Sequence, residues 1–268
     1  MAQQPAPSNP SSLSLRAISA FVMLPIVFGA VWLGGWFFAG LTALVAGLMY
    51  WEWQGLCGEK GPTAIVFALF CASGPVALFI VGSMSTLVGL ALMTLIVVVL
   101  KREDRPAFLA VGFAYIGLAC ISLVFLRVFA GMETVIWLGA VVVMTDTCAY
   151  FTGRTLGGPK LAPKISPKKT WSGLTGGIAG AAVVGGILAA VIDANIVSVS
   201  LVSGGLAVVA QIGDLAVSKA KRAFDVKDSG NIIPGHGGVL DRFDGVLSTS
   251  IAIALLSLAG GGSPLLWL

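Results

Sequence analysis

SKAKRAFDVKDSGNIIPGHGGVLDRFD, residues 218–244, holds five basic residues, four acidic ones and the only histidine of the chain. Across all 268 residues only 10% are charged and 57% are hydrophobic, with a mean hydropathy of +0.98. Charge beside a bilayer is tolerated when it is wet, paired or bound to something. This block is therefore the first place to look for chemistry, and the greasy remainder decides the fold. Apolar runs of roughly 17–25 residues, enough to cross a bilayer, recur along the chain. Shorter segments of alternating polarity, the mark of a transmembrane barrel, are missing. The expected class is an all-α, polytopic transmembrane helix bundle.

Hydropathy places about nine spans, at roughly 17–33, 36–52, 63–82, 84–100, 107–126, 134–152, 173–193, 196–217 and 246–262. Gly34-Gly35 and Gly82-Ser83 mark tight turns between spans. Lys60, then Lys101, Arg102 and Arg105, then Arg154, Lys160, Lys164, Lys168 and Lys169, then Lys219, Lys221, Arg222, Lys227 and Arg242 all follow even-numbered spans. By the positive-inside rule those loops are cytoplasmic, as is the N-terminus with Arg16, while the C-terminus lies outside. Only Arg127 is out of place. Residues 1–13 read as a disordered cytoplasmic tail, 14–133 as N-terminal transmembrane helices, and 134–268 as a C-terminal transmembrane catalytic region.

The net charge of +4 does not indicate nucleic acid, because the basic residues lie in short loops between apolar spans. Cys57, Cys71, Cys120 and Cys148 have no metal-ligand spacing and read as small hydrophobes. The seventh span, GLTGGIAGAAVVGGILAA, carries Gly176 and Gly180 in a GxxxG pair, with Ala181 and Gly185 repeating the spacing. Small residues let helix backbones approach closely. Packing within the subunit is the favoured reading, and a homodimer seam is the alternative.

Three polar features face the cytoplasm. Asp146 interrupts the sixth span, a functional candidate by its cost, or else a helix-end residue that reaches headgroup water. Tyr150 shares its face, four residues on. The loop 153–170, GRTLGGPKLAPKISPKKT, has five cations and no acid, and its Pro and Gly residues prevent a long helix. Cations with hydroxyls from Ser166, Thr170 and Ser172 suit phosphate oxygens, although a topogenic loop on anionic lipid fits as well. The third feature is the opening block with its approach, Gln211-Ile212-Gly213-Asp214-Leu215. Asp214 and Ser218 share a helical face, as do Asp241 and Asp244. Several carboxylates with surplus Lys and Arg suit a hard cation such as Mg²⁺ together with phosphates. No Cys/His set suits zinc, and the Walker A spacing is absent. His236 is a proton carrier or a structural residue. Metal and phosphate cradle at a membrane surface point to phosphoryl or nucleotidyl transfer on a lipid.

The pattern Ser218-x-x-Lys221-Arg222, Lys227-Asp228, Pro234-x-His236-Gly237-Gly238, Asp241-Arg242-x-Asp244 resembles the signature of phosphatidate cytidylyltransferases, the CDP-diacylglycerol synthases. Ser166-Pro167-Lys168-Lys169-Thr170-Trp171 and Gly213-Asp214-Leu215 resemble further segments of that family, so the likeness covers roughly 140–250. Ser172 departs from it, since relatives usually carry an acid or amide there. The resemblance implies that CTP and phosphatidate give CDP-diacylglycerol and pyrophosphate, with Mg²⁺, and potassium as a second ion. It implies a metal role for Asp214, Asp241 and Asp244, and catalytic roles for Ser218, Lys221, Arg222 and a positional His236 beside the first two of those acids. Ser166, Lys168, Lys169, Thr170, Lys227, Asp146 and Arg242 are expected to bind substrate. The expected partners are CTP, phosphatidate and membrane lipids, in a bacterial inner membrane with a cytoplasmic active site. A CTP-dependent lipid kinase of the dolichol kinase type and a cation-coupled transporter, with Asp146 and Asp214 as ion ligands, are the rivals.

Overall fold

The computed structural model describes residues 10–101, 105–233 and 237–268, with the side chains of the first helix described from Phe21 on. The chain is almost wholly helical. Its helices are α1 (Pro10–Leu33), α2 (Gly35–Leu56), α3 (Pro62–Leu100), α4 (Pro106–Phe125), α5 (Gly131–Thr155), α6 (Trp171–Val191), α7 (Ile196–Arg222), α8 (Leu240–Gly260) and the short α9 (Pro264–Trp267). The first nine residues of the expected tail, Arg102, and the Pro234-Gly235-His236 turn lie outside the described residues.

Among the described residues, five helical runs are long and apolar enough to cross a membrane: Pro62–Leu100, Pro106–Thr155, Trp171–Val191, Ile196–Arg222 and Leu240–Gly260. Nine spans were expected. Two of the five runs are far longer than a bilayer needs, since 39 residues of α-helix extend ~58 Å. Each breaks at a glycine. Gly82 takes φ 78° and ψ 172° inside α3, at the turn the sequence marked. Gly131 takes φ 88° and ψ 171° after a π-helical turn at Leu126–Ala130 that joins α4 to α5. Side chains other than glycine rarely adopt such angles.

Large apolar residues cover the outside of the bundle, among them Phe21, Trp32, Leu69, Val191 and Leu201. Patches of this kind, too broad for a water-facing surface, fit lipid. Inside, two apolar clusters meet at α7 and α8. One is built around Trp137, Leu138 and Val141 of α5 with Ala207 and Ala210 of α7. The other joins Met49, Tyr50 and Trp53 of α2 to Phe113 and Ile116 of α4 and to Val217 and Leu247. Buried polar side chains cross-brace them. Trp137 Nε1 donates to Ser203 Oγ at 2.8 Å, and Trp53 Nε1 donates to the Phe108 carbonyl at 2.9 Å. The four cysteines are free, with Cys71 and Cys120 buried among apolar neighbours.

The small-residue face of α6 lies against α5 and α7. A Cβ on Gly176 would stand 2.0 Å from Thr152 Oγ1, one on Gly180 2.4 Å from Cys148 Sγ, and one on Gly185 2.0 Å from Ser203 Oγ. This stripe therefore serves packing within the subunit. Arg127 also finds its reason here. Its Nε donates to the Val31 carbonyl at 2.7 Å and its Nη2 to the Trp32 carbonyl at 3.2 Å, closing the otherwise orphaned C-terminal end of α1.

The all-α expectation needs one amendment. Lys160–Ala162 (β1) pairs antiparallel with Ser166–Thr170 (β2), with Lys160 opposite Thr170 and Ala162 opposite Ser166. The prolines and glycines that forbid a helix in 153–170 leave room for a tight hairpin.

Gly176→Val is expected to lower stability by about 1–3 kcal/mol through overpacking against α5, read as a fall in the thermal midpoint of the solubilised protein. Gly139→Ala, where nothing lies within 4 Å of the added Cβ, is expected to leave that midpoint unchanged.

Candidate functional site

Hydropathy ends the eighth span near Val217 and begins the ninth near Val246, but the helices run further. α7 continues to Arg222 and α8 starts at Leu240. Helical geometry outlasts the apolar stretch, because backbone hydrogen bonds do not depend on side-chain polarity. Ser218, Lys221 and Arg222 thus stand on the last turns of α7, and Asp241 and Asp244 on the first turns of α8. The C-terminal half of α5, the β1–β2 hairpin and the N-terminus of α6 complete that end of the bundle.

One chain of contacts runs across α5, α7 and β2. Gln211 Nε2 donates to Asp146 Oδ1 at 3.2 Å, and Lys169 Nζ donates to Gln211 Oε1 at 2.8 Å. The same ammonium lies 2.5 Å from Asp214 Oδ2, while Ser218 Oγ donates to Asp214 Oδ1 at 3.1 Å. The expected i, i+4 pairing of Asp214 with Ser218 is therefore made. Asp146, Gln211 and Lys169 of this chain of contacts border a cavity of about 170 Å³, walled also by Tyr150, Lys168 and Leu174. It has cations on the hairpin side and a carboxylate and phenol on the α5 side.

A second cluster lies toward α8. Lys221 Nζ meets Asp241 Oδ1 at 2.5 Å, with both side chains less than a tenth exposed. The backbone amides of Ser229 and Gly238 donate to Asp241 Oδ2 at 2.9 and 3.2 Å. Asp244 joins the clusters, lying within electrostatic range of Asp214, Lys221 and Asp146. Arg242, although exposed, is in range of Asp146. The close approach of α7 and α8 depends on Gly213, where a Cβ would stand 2.9 Å from the Asp244 carbonyl and 2.2 Å from Ser248 Oγ.

Other expected residues are placed differently. The Thr170 hydroxyl caps α6 by accepting from the Gly173 amide at 3.0 Å, and it is 3% exposed. Ser172, where the sequence departs from the family pattern, donates to the Gly157 carbonyl and contacts Thr170, so it braces the hairpin. Arg222 reaches the hairpin through the Ile165 carbonyl at 3.3 Å and also donates to the Val226 carbonyl at 2.9 Å. Lys168 and Lys227 are exposed, Ser166 is half-buried, and His236 lies outside the described residues. Among the described residues no group of three or more His, Cys, Asp or Glu gathers around one point as a metal cage.

Two residues were missed in sequence. Glu52, near the end of α2, reaches Ser229, Val239 and Leu240 with its two carboxylate oxygens. Tyr115 of α4 points its buried hydroxyl toward Ser248 and Asp244, without a hydrogen-bond partner among the described residues. The rule that singled out Asp146, a polar group inside an apolar run, applies to both.

Comparison with known proteins identifies the family of the chain. A family model described as the cytidylyltransferase family matches residues 14–259, and the chain belongs to that family. Among its relatives, the phosphatidate cytidylyltransferase of Brucella suis biovar 1 is 41% identical over 258 residues, covering 93% of this chain and 94% of that protein. The phosphatidate cytidylyltransferase of Rickettsia bellii is 50% identical over 113 residues, covering 39% of this chain and 49% of that protein.

Removing one member of the better-buried ion pair should cost more than removing one of the wetter pair. Lys221→Met is expected to destabilise by about 3 kcal/mol or more, because it leaves the buried Asp241 without its counter-ion. Lys169→Met should cost visibly less, since Asp214 is 26% exposed. Thermal unfolding of the two purified variants under one detergent condition measures the difference.

Proposed function

We propose that this protein transfers CMP from CTP to phosphatidate, giving CDP-diacylglycerol and pyrophosphate, at the cytoplasmic face of a bacterial inner membrane. One observation carries the reading: anion-binding and cation-binding groups, Lys169 with Asp214 and Lys221 with Asp241, alternate at one end of a lipid-facing bundle. Both reactants are phosphates, one soluble and one anchored in lipid. A site that grips phosphates at the rim of apolar helices suits that pairing better than a path through the membrane, which would place its polar groups near mid-depth.

In the reaction a phosphate oxygen of phosphatidate attacks the α-phosphorus of CTP. The bond from that phosphorus to the bridging oxygen of the β-phosphate breaks, and pyrophosphate leaves with the electron pair. The nucleophile is already an oxyanion at neutral pH, so no strong general base is needed, and a positional role for His236 suffices. Lys168 and Lys169 present ammonium groups from the hairpin to the entering phosphates. Lys169 would then exchange its contact with Asp214 for one with phosphate. Arg222 and Lys227 would meet the charge of the leaving pyrophosphate, while Lys221 stays with Asp241.

The donor set fits a divalent ion. Asp146, Asp214 and Asp244 lie within electrostatic range of one another, and Lys169 is the only cation in salt-bridge contact with any of them among the described residues. Mg²⁺ takes one or two carboxylates and completes its shell with substrate phosphates and water, so a closed protein cage is not required. Asp214, Asp241 and Asp244 are the carboxylates that would hold it. When bound, the ion supplies charge neutralisation on the attacking and leaving oxygens.

Orientation follows from the basic loops. With Arg127 accounted for as a cap on α1, no basic residue contradicts an inside N-terminus and an outside C-terminus. Nine crossings follow if α1, α2, each half of α3, α4 and α5 each cross once, as do α6, α7 and α8.

Purified protein, phosphatidate, Mg²⁺ and CTP labelled in its α-phosphate test the reading. The expected result is a labelled lipid and pyrophosphate in equal amounts. CDP with a phosphorylated lipid would indicate a kinase instead, and no lipid product would end the proposal. Asp214→Asn is expected to cut turnover by about 100-fold or more at saturating substrates, and excess chelator should abolish it until Mg²⁺ is restored.

A further inference from the structure

Glu52 belongs to the half of the chain that carries none of the signature residues. It is 4% exposed, and no Lys or Arg pairs with it among the described residues. A buried carboxylate without a cation must be carried by hydrogen bonds. Oε1 accepts from the Val239 amide at 2.9 Å, and Oε2 accepts from the Leu240 amide and from Ser229 Oγ, each at 2.9 Å. Leu240 is the first residue of α8, whose own N-cap, Val239, offers no side-chain acceptor. The carboxylate of α2 therefore caps α8 from 188 positions away, where free amides and the helix dipole favour an anion. Bare backbone closes the nest. A Cβ on Gly230 would lie 2.6 Å from Oε1, and one on Gly238 would lie 2.6 Å from Oε2.

The same turn holds Asp241. Ser229 gives its hydroxyl to Glu52 and its amide to Asp241, and the Gly238 amide also goes to Asp241. Glu52 thus grips the Ser229 hydroxyl and the Val239 and Leu240 amides, while Asp241 grips the adjoining Ser229 and Gly238 amides with one oxygen and Lys221 with the other. The start of the connection is tied to the N-terminal helices as well. Phe224 lies 4.7 Å edge-on from Phe108 and 4.7 Å beneath the Arg105 guanidinium, and Phe108 stacks at 4.5 Å on Trp53, the neighbour of Glu52.

We infer that Glu52 is a positioning residue for the transfer reaction: its carboxylate caps α8 and ties Ser229 to residues 239 and 240, and so sets the place of Asp241. The inference rests on the function proposed above. Glu52 touches no substrate in this account and acts only through the turn.

Two variants break the clamp from opposite sides. Glu52→Gln keeps the side-chain size but sets an amide NH₂ against N–H donors. Gly238→Ala pushes a methyl group into the carboxylate. Both are made in the full-length protein, followed by hydrogen exchange and steady-state kinetics. Exchange across 226–241 is expected to rise about tenfold or more while α5 and α6 keep wild-type protection. Turnover is expected to fall about tenfold or more, since small misplacement of a catalytic group is costly. KM for CTP should shift less than about threefold, because the hairpin lysines that receive it stay in place. Unchanged exchange in both variants would overturn the inference. So would a loosened turn with wild-type turnover, or loss of folded protein with unchanged turnover in what remains. A wild-type protein that makes no CMP-lipid would instead overturn the proposed reaction, and the two failures are separate results.

Discussion

Everything at the working end of this protein depends on balancing charge at the rim of an apolar bundle. An unpaired carboxylate beside lipid is expensive, and four acids from three helices lie at this end of the bundle. Asp241 is neutralised by Lys221 and two backbone amides, and Asp214 by Lys169. Asp146 shares a proton of the Gln211 amide, and Asp244 takes its own neighbour's amide, from Gly245, at 2.8 Å. The last two are left with the least compensation. That imbalance fits a site that gains a cation when it works, and the surplus of Lys and Arg on the hairpin and on α7 matches anionic substrates. Stability and chemistry use the same residues.

The helical class was legible because apolarity over a span's length is a strong signal, and the polar block at 218–244 was legible because it contrasts with its surroundings. The turn at Gly82-Ser83, the shared face of Asp214 and Ser218, and the packing role of Gly176 and Gly180 follow from short-range geometry that sequence encodes directly. Element ends were less legible. Hydropathy falls at Val217 while the helix goes on to Arg222, so the residues that matter most sit in the gap between the two measures. The β1–β2 hairpin was hidden for a similar reason: Pro and Gly exclude a helix but do not announce which strands will pair.

What sequence could not supply was the partnership between halves. Glu52 and Asp241 lie far apart along the chain, and Tyr115, from a helix read only as a span, brings a buried hydroxyl near Ser248 and Asp244. Arg127 looked like an anomaly of topology and proves to be a cap on α1. Each pairing is set by tertiary packing, which no local period records. The N-terminal helices are thus more than a membrane anchor. They hold the connection between α7 and α8 at Phe224 and at Ser229, and they leave the hairpin side open. One wall of the site is tied to the bundle, and the other carries the hairpin lysines.

The most direct test of the central claim, a divalent ion shared by the α7 and α8 carboxylates and the nucleotide, is a structure of the full-length protein with CTP and Mn²⁺ in place of Mg²⁺, read by anomalous scattering. The account predicts a Mn²⁺ peak in contact with both an Asp214 oxygen and a CTP phosphate, with Lys169 moved from Asp214 onto phosphate. Nucleotide bound in full with no Mn²⁺ against Asp214, Asp241 or Asp244 would contradict it.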